Sequence, residues 1–173
     1  MQLETPRLLL REYVPEDFDA LHEILSDPET MRHYPHPFSP DETRQWIERN
    51  RARYAEYGFG LWAAILKSDG RLIGDCGITM QPIHGRMLPE VGYHIHRDHQ
   101  RRGYASEAAA ECIRFAFEVL TFETIYSYMK YTNIASCRTA ERNGLRFVEE
   151  YDDPVNTRTR VYALRRSDWE SRR

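Results

Sequence analysis

Residues 90–131, "EVGYHIHRDHQRRGYASEAAAECIRFAFEVLTFETIYSYMKY", constrain the fold more than any other part of the chain. An apolar strand pattern, "EVGYHIH", leads through a polar turn into a helical pattern, and "ETIYSYMKY" then reads as a second strand. Two neighbouring strands joined across a helix lie parallel, with a right-handed crossover. In the helix, Ala105, Ala108, Cys112, Phe115, Ala116 and Val119 form one apolar stripe, and Glu107, Glu111, Arg114 and Glu118 recur on the opposite side. That stripe needs a sheet to cover it.

The rest of the chain supplies the sheet. "RLLLREY" reads as a first strand, and "PEDFDALHEILSD" as a helix with Phe18, Leu21, Ile24 and Leu25 on one face. A loop rich in proline, histidine and aromatics fills residues 28–38, and Ser39, Pro40 and Glu42 then form a capping box that opens a helix to about Tyr57. "FGLWAAIL" and "RLIGDCGITM" are strands joined at Asp69-Gly70, a hairpin signal. "PIHGRMLP" reads as a connection to "EVGYHIH". After the central crossover come a helix, "NIASCRTAERNG", closed by Gly144, and two strands, "LRFVEEY" and "TRTRVYALR". The expectation is an α/β (α+β) mixed sheet of about seven strands, with four helices on both faces, in one domain over residues 1–173.

Charge and composition exclude several classes. The net charge is −3, although Lys67 and Lys130 are the only lysines. A non-specific nucleic-acid binder would be basic, so no nucleic-acid partner is expected. No run reaches the roughly 18 apolar residues of a membrane span, and Glu4 interrupts the start, unlike a secretory leader. We expect no membrane association and a cytoplasmic location. Cys76, Cys112 and Cys137 are widely spaced and fit neither a disulfide framework nor a zinc ribbon. His94, His96 and His99 have only Asp98 as a nearby acid, so no metal is expected.

The turn "HQRRGYASEA" carries the chemistry. A helix N-terminus presents unpaired N–H groups and partial positive charge, which suits an anion such as a phosphate. Gly103 lets the main chain approach closely, Ala105 keeps the approach open, and Gln100, Arg101 and Arg102 offer donors at the rim. A glycine that merely permits the turn is the alternative. Neither the dinucleotide fingerprint nor the P-loop pattern is present.

This stretch resembles the pyrophosphate-binding motif Gln/Arg-x-x-Gly-x-Gly/Ala of the GCN5-related N-acetyltransferase (GNAT) superfamily. "TPRLLLREY", "LIGDCGI", "EVGYHIHRDHQRRGYASEA" and "NIASCRTAERNGLRF" are similar, in the same order, to the branch containing the ribosomal-protein-alanine N-acetyltransferases (RimJ/RimL-like). The resemblance implies a splayed sheet and transfer of an acetyl group from acetyl-CoA to an amine by direct attack in a ternary complex. It implies a coenzyme site over Gln100, Arg101, Arg102, Gly103, Tyr104, Ala105 and Ser106, with Asn133 and Ser136 on the pantetheine arm. An amide among Tyr93, His94 and Ile95 would stabilise the oxyanion, with Gly92 kinking the strand.

The amine must lose a proton before it attacks. Glu90 is the candidate base and His94 its rival. Relatives often place a tyrosine four residues after the serine to protonate the departing thiolate, but here that position is Ala140, which leaves Ser136 or water. The missing tyrosine keeps a coenzyme A-binding sensor as the alternative function. Acceptor contacts are expected from residues 28–38 and 81–90. The acceptor, a protein N-terminal α-amine or a small-molecule amine, stays open, and the resemblance allows a homodimer.

Overall fold

The computed structural model describes residues 2–172. Eight strands form one sheet: β1 (Gln2–Glu4), β2 (Leu8–Arg11), β3 (Leu61–Leu66), β4 (Leu72–Ile83), β5 (Arg86–Ile95), β6 (Thr124–Lys130), β7 (Arg146–Asp153) and β8 (Thr157–Arg165). Their spatial order is β1-β2-β3-β4-β5-β6-β8-β7. Every neighbouring pair is antiparallel except β5 and β6, the pair joined by the crossover helix. The helices are α1 (Phe18–Leu25), α2 (Pro40–Tyr57), α3 (Tyr104–Glu118), α4 (Ile134–Arg142) and α5 (Arg166–Glu170).

Helices cover both faces of the sheet. Trp62, Leu8 and Leu10 pack with Ala108, Cys112, Phe115 and Ala116 of α3 and with Cys137 of α4. On the other face, Leu21, Ile24 and Leu25 of α1 and Ile47 of α2 meet Ala63 and Ile65. Strand β3 is buried at every position because both layers press on it. The capping box forms as read, with the Ser39 hydroxyl accepting from Glu42 N–H and the Glu42 carboxylate accepting from Ser39 N–H at 2.7 Å. None of the described helices is long and apolar enough to cross a membrane.

Three expectations need correction. Among the described residues the sheet has eight strands where about seven were expected, and there are five helices where four were expected: the short β1 and α5 carry too few residues to show a period. The connection expected over residues 81–90 is not a loop, because β4 and β5 pair without interruption from Gly74↔Ile95 to Ile83↔Arg86 and turn only at His84 and Gly85. The kink expected at Gly92 does not displace the pairing either, since Gly77 faces Gly92 in unbroken register. The sheet opens on the other edge of β5, where the single register pair with β6 is Glu90↔Tyr126.

Candidate active site

Gly103 is the N-cap of α3 and adopts φ 84°, a left-handed conformation that glycine adopts without strain. Arg101 is also left-handed, at φ 61°. Helical pairing begins with Glu107 N–H, which donates to Gly103 O at 3.0 Å. The N–H groups of Tyr104, Ala105 and Ser106 therefore have no partner within the helix, and the Ser106 hydroxyl is buried without one. This cluster of unsatisfied donors can hold a diphosphate.

A brace that the sequence did not advertise fixes the turn. The Arg7 guanidinium donates to Arg102 O at 3.0 Å and to the Glu107 carboxylate at 2.6 Å, and it lies 4.3 Å over the Tyr104 ring. Thr5 donates its hydroxyl to the same carboxylate at 2.6 Å. Gln100 is not aimed at the anion position, because its side-chain N–H donates to Ile95 O at 2.9 Å. Arg101 and Arg102 are exposed at the rim.

Beyond Glu90↔Tyr126 the two central strands separate. Amides along a strand alternate between its two edges. His96 N–H donates to Ile73 O of the β4 side, so even-numbered amides of β5 face β4 and those of Tyr93 and Ile95 face the gap. Of the three expected oxyanion donors, His94 is misplaced: its N–H lies 3.1 Å from the Asp75 carboxylate.

Glu90 is buried beside this gap. Its carboxylate lies over Gly92, where a Cβ would meet it at 3.0 Å, and it accepts from the Thr79 hydroxyl at 3.3 Å. Burial pushes its pKa up to about 8, against the smaller opposing effects of the Thr79 hydrogen bond and of nearby His94 and Arg53.

The rival base is locked. His94 Nδ1 sits 2.7 Å from Asp75 and Nε2 sits 2.6 Å from the Tyr34 hydroxyl, so neither ring nitrogen is free. Asp75 also accepts from the Tyr13 hydroxyl at 2.8 Å and from Trp46 Nε1 at 2.9 Å. Burial disfavours the imidazolium, but Asp75 outweighs it and holds the His94 pKa above its usual value. The network fastens the 28–38 loop, through Tyr34, to the strand carrying Glu90.

On the opposite face of β5, the Tyr93 phenol lies 3.1 Å from the Ser136 hydroxyl and donates to Ser136 O at 3.2 Å. Burial raises the Tyr93 pKa. Asn133 caps α4, its side-chain oxygen accepting from Ser136 N–H at 3.1 Å, so that oxygen is already used. Ala140 is buried one turn further on and offers no phenol. Sequence reading had singled out Tyr93 for its amide only. The residues it did not single out, Asp75, Tyr34, Trp46, Tyr13 and Arg7, come from separate segments and share no spacing. The signal for Asp75 was a charge inside the otherwise apolar "LIGDCGI".

A fold with a parallel pair splayed at a buried carboxylate, beside a helix N-terminus made for an anion, fits an acyl-coenzyme A-dependent transferase. A family model described as an acetyltransferase (GNAT) domain matches residues 7–146, and the chain belongs to that family of acetyl-CoA-dependent N-acetyltransferases. The Bacillus subtilis protein YkkB is 32% identical over 158 residues, covering 89% of this chain and 92% of its own. A GNAT-family acetyltransferase from Bacillus anthracis superimposes with a TM-score of 0.82 at 25% identity, covering 96% of this chain and 99% of the other. RimL, a ribosomal L7/L12 alpha-N-protein acetyltransferase solved with coenzyme A, shares the fold at a TM-score of 0.77 and 17% identity, covering 95% of this chain and 98% of its own.

Proposed function

We propose that this chain works as one acetyltransferase domain that binds acetyl-CoA at the 100–106 turn and passes its acetyl group to a primary amine held on the Glu90 side of the splayed strands. Glu90 takes the proton from the ammonium. The freed amine attacks the thioester carbonyl, and the Tyr93 and Ile95 amides face the oxyanion that develops. As the tetrahedral intermediate collapses, the nitrogen gives up its second proton to solvent and the departing thiolate takes one from the Ser136 hydroxyl, which is replenished by the Tyr93 phenol and in turn by solvent; this pair stands in for the tyrosine missing at Ala140. A base with pKa near the working pH combines a useful deprotonated fraction with real proton affinity, and His94 has no free nitrogen for the role.

The observation that carries this reading is the opening of the sheet beside buried Glu90, with two N–H groups of β5 turned toward the opening. Those N–H groups and Tyr93 favour turnover over a sensor that only binds the coenzyme.

A thiol-release assay over peptide N-termini, polyamines and aminoglycosides, run on wild type and Glu90→Gln, tests the assignment. We expect the substitution to lower kcat by about 10²–10⁴ on the accepted amine. The wild-type rate should rise with pH toward a plateau above about 8, where Glu90 is deprotonated. An unchanged rate and profile in Glu90→Gln would remove Glu90 from the reaction.

A further inference from the structure

We propose that the acceptor carries, besides its amine, a carboxylate that is bound by Arg146 and Arg165 on the same sheet face as Glu90. This inference rests on the transfer reading above and adds a substrate class to it.

The register places the groups. Glu90 faces Tyr126, Tyr126 faces Ala163 and Ala163 faces Arg146, so these residues form one row across β5, β6, β8 and β7. Directly paired residues share a face. Three steps at the usual strand separation span about 14 Å of backbone. Arg165 is two residues beyond Ala163 on β8 and opposite Thr124, so it points to the same face. The Phe147 ring meets the buried Tyr162 in an edge contact on the other face, which agrees with this assignment.

The row ends in a cavity of ≈ 300 Å³. Arg146 and Arg165 line it together with Thr124, Tyr126, Ala163 and Val148, the last displaced by the bulge in β7. The two arginines stand diagonally on adjacent strands, about 7–8 Å apart at the backbone, within reach of a single carboxylate. Their neighbours are already satisfied: Arg158 and Arg160 both pair with Glu150, and Arg166 donates to Phe122 O. Among the described residues Arg146 and Arg165 form no side-chain hydrogen bond or ion pair. Asp168 also borders the cavity, so its lining carries two positive charges and one negative, a net positive charge that suits one carboxylate. Arginine binds carboxylates in a bidentate fork, which gives direction as well as attraction.

The cavity does not serve the coenzyme. Strands β5 and β6 run parallel, Thr124 opens β6, and the Gly103 turn follows the far end of β5. An extended chain of four residues spans about 14 Å. An acceptor lying along the row therefore delivers its amine to Glu90 and its carboxylate to the arginines.

Tetraalanine and its C-terminal amide share the amine and differ only in the anion. Calorimetric titration of both into the coenzyme A-bound protein should show the acid binding about tenfold tighter or more. Arg146→Gln/Arg165→Gln should erase that preference while leaving the affinity for the amide and the melting temperature unchanged. Both arginines are exposed, so the double variant should fold. Equal affinity for the two peptides in wild type, or a preference that survives the double substitution, overturns the inference. A preference that holds while neither peptide releases thiol from acetyl-CoA supports the carboxylate site and counts against the transfer reading alone.

Discussion

Replacing Glu90 by glutamine should stabilise the protein, and increasingly so as the pH rises. An ordinary glutamate gives up its proton near 4.5, whereas burial keeps Glu90 protonated in the fold to about 8. Between those values the folded chain binds the proton that the unfolded chain has released, so stability falls as pH rises through a window of about 3.5 pH units. Each unit costs about 1.4 kcal/mol. From pH 6 to pH 9 the wild type should thus lose on the order of 2–3 kcal/mol relative to the glutamine variant, whose side chain has the same shape and does not titrate. For a chain of this length, 1 kcal/mol shifts the melting temperature by about 2–4 °C. The gap between variant and wild type should widen by about 5–10 °C over that range. Circular dichroism melts of both proteins at pH 6 and pH 9 measure it directly. The other titrating groups are common to both chains and largely cancel. A gap that stays constant, or narrows, with rising pH would mean that Glu90 is charged or solvated in the fold, and the argument for it as a base poised near neutrality would fail.

Two further substitutions probe the supports of the site. Asp75→Asn removes the charge that holds the His94 pKa up, and one of two oxygens that accept from Tyr13, Trp46 and His94. We expect a loss of about 3–5 kcal/mol in urea unfolding, and a loss under about 1 kcal/mol would show that the pair is not charged. Gly103→Val forces a β-branched residue to φ 84°, and that strain displaces the turn. Calorimetry should show coenzyme A affinity falling by more than the stability cost, and undiminished affinity in a folded variant would refute the site.

Local chemistry made some elements legible and hid others. The Ser39–Glu42 capping box, the Asp69-Gly70 hairpin and the Gly103 helix start each depend on a few adjacent residues, so the sequence shows them directly. The outer half of the β4–β5 hairpin was hidden by Pro82 and Pro89, which read as strand breakers. In the observed register both sit where an amide would point away from the β4–β5 ladder, so their missing N–H groups cost that ladder nothing. The glycine turn and Glu90 stood out as candidates because residue type and position alone flag them. The brace of Thr5 and Arg7 on Glu107 joins positions about a hundred residues apart. The Asp75 network joins five segments in the same way. Only the fold brings such groups together, and a sequence read locally can at most flag the buried charge.

The splay follows from how each edge is held. Strand β5 is tied to β4 along its whole length and β6 to β8 from Thr124↔Arg165 to Lys130↔Thr159, so each pair behaves as one stiff, twisted ribbon. Two such ribbons that meet in parallel at one point diverge beyond it. Side chains then take over part of what a neighbouring strand would do. Gln100 satisfies Ile95 O, and Tyr93 fastens the strand to Ser136 of α4. Such substitutions supply donors for carbonyls. Among the described residues they supply no acceptor for the Tyr93 and Ile95 N–H groups, which a closed sheet would have paired. An N–H withheld from its ladder needs another acceptor. In the proposed reaction that acceptor is the thioester oxygen, which accepts more strongly as it gains negative charge during acyl transfer. On the proposed reading, the same geometry that prevents the sheet from closing would favour the transition state over the resting site.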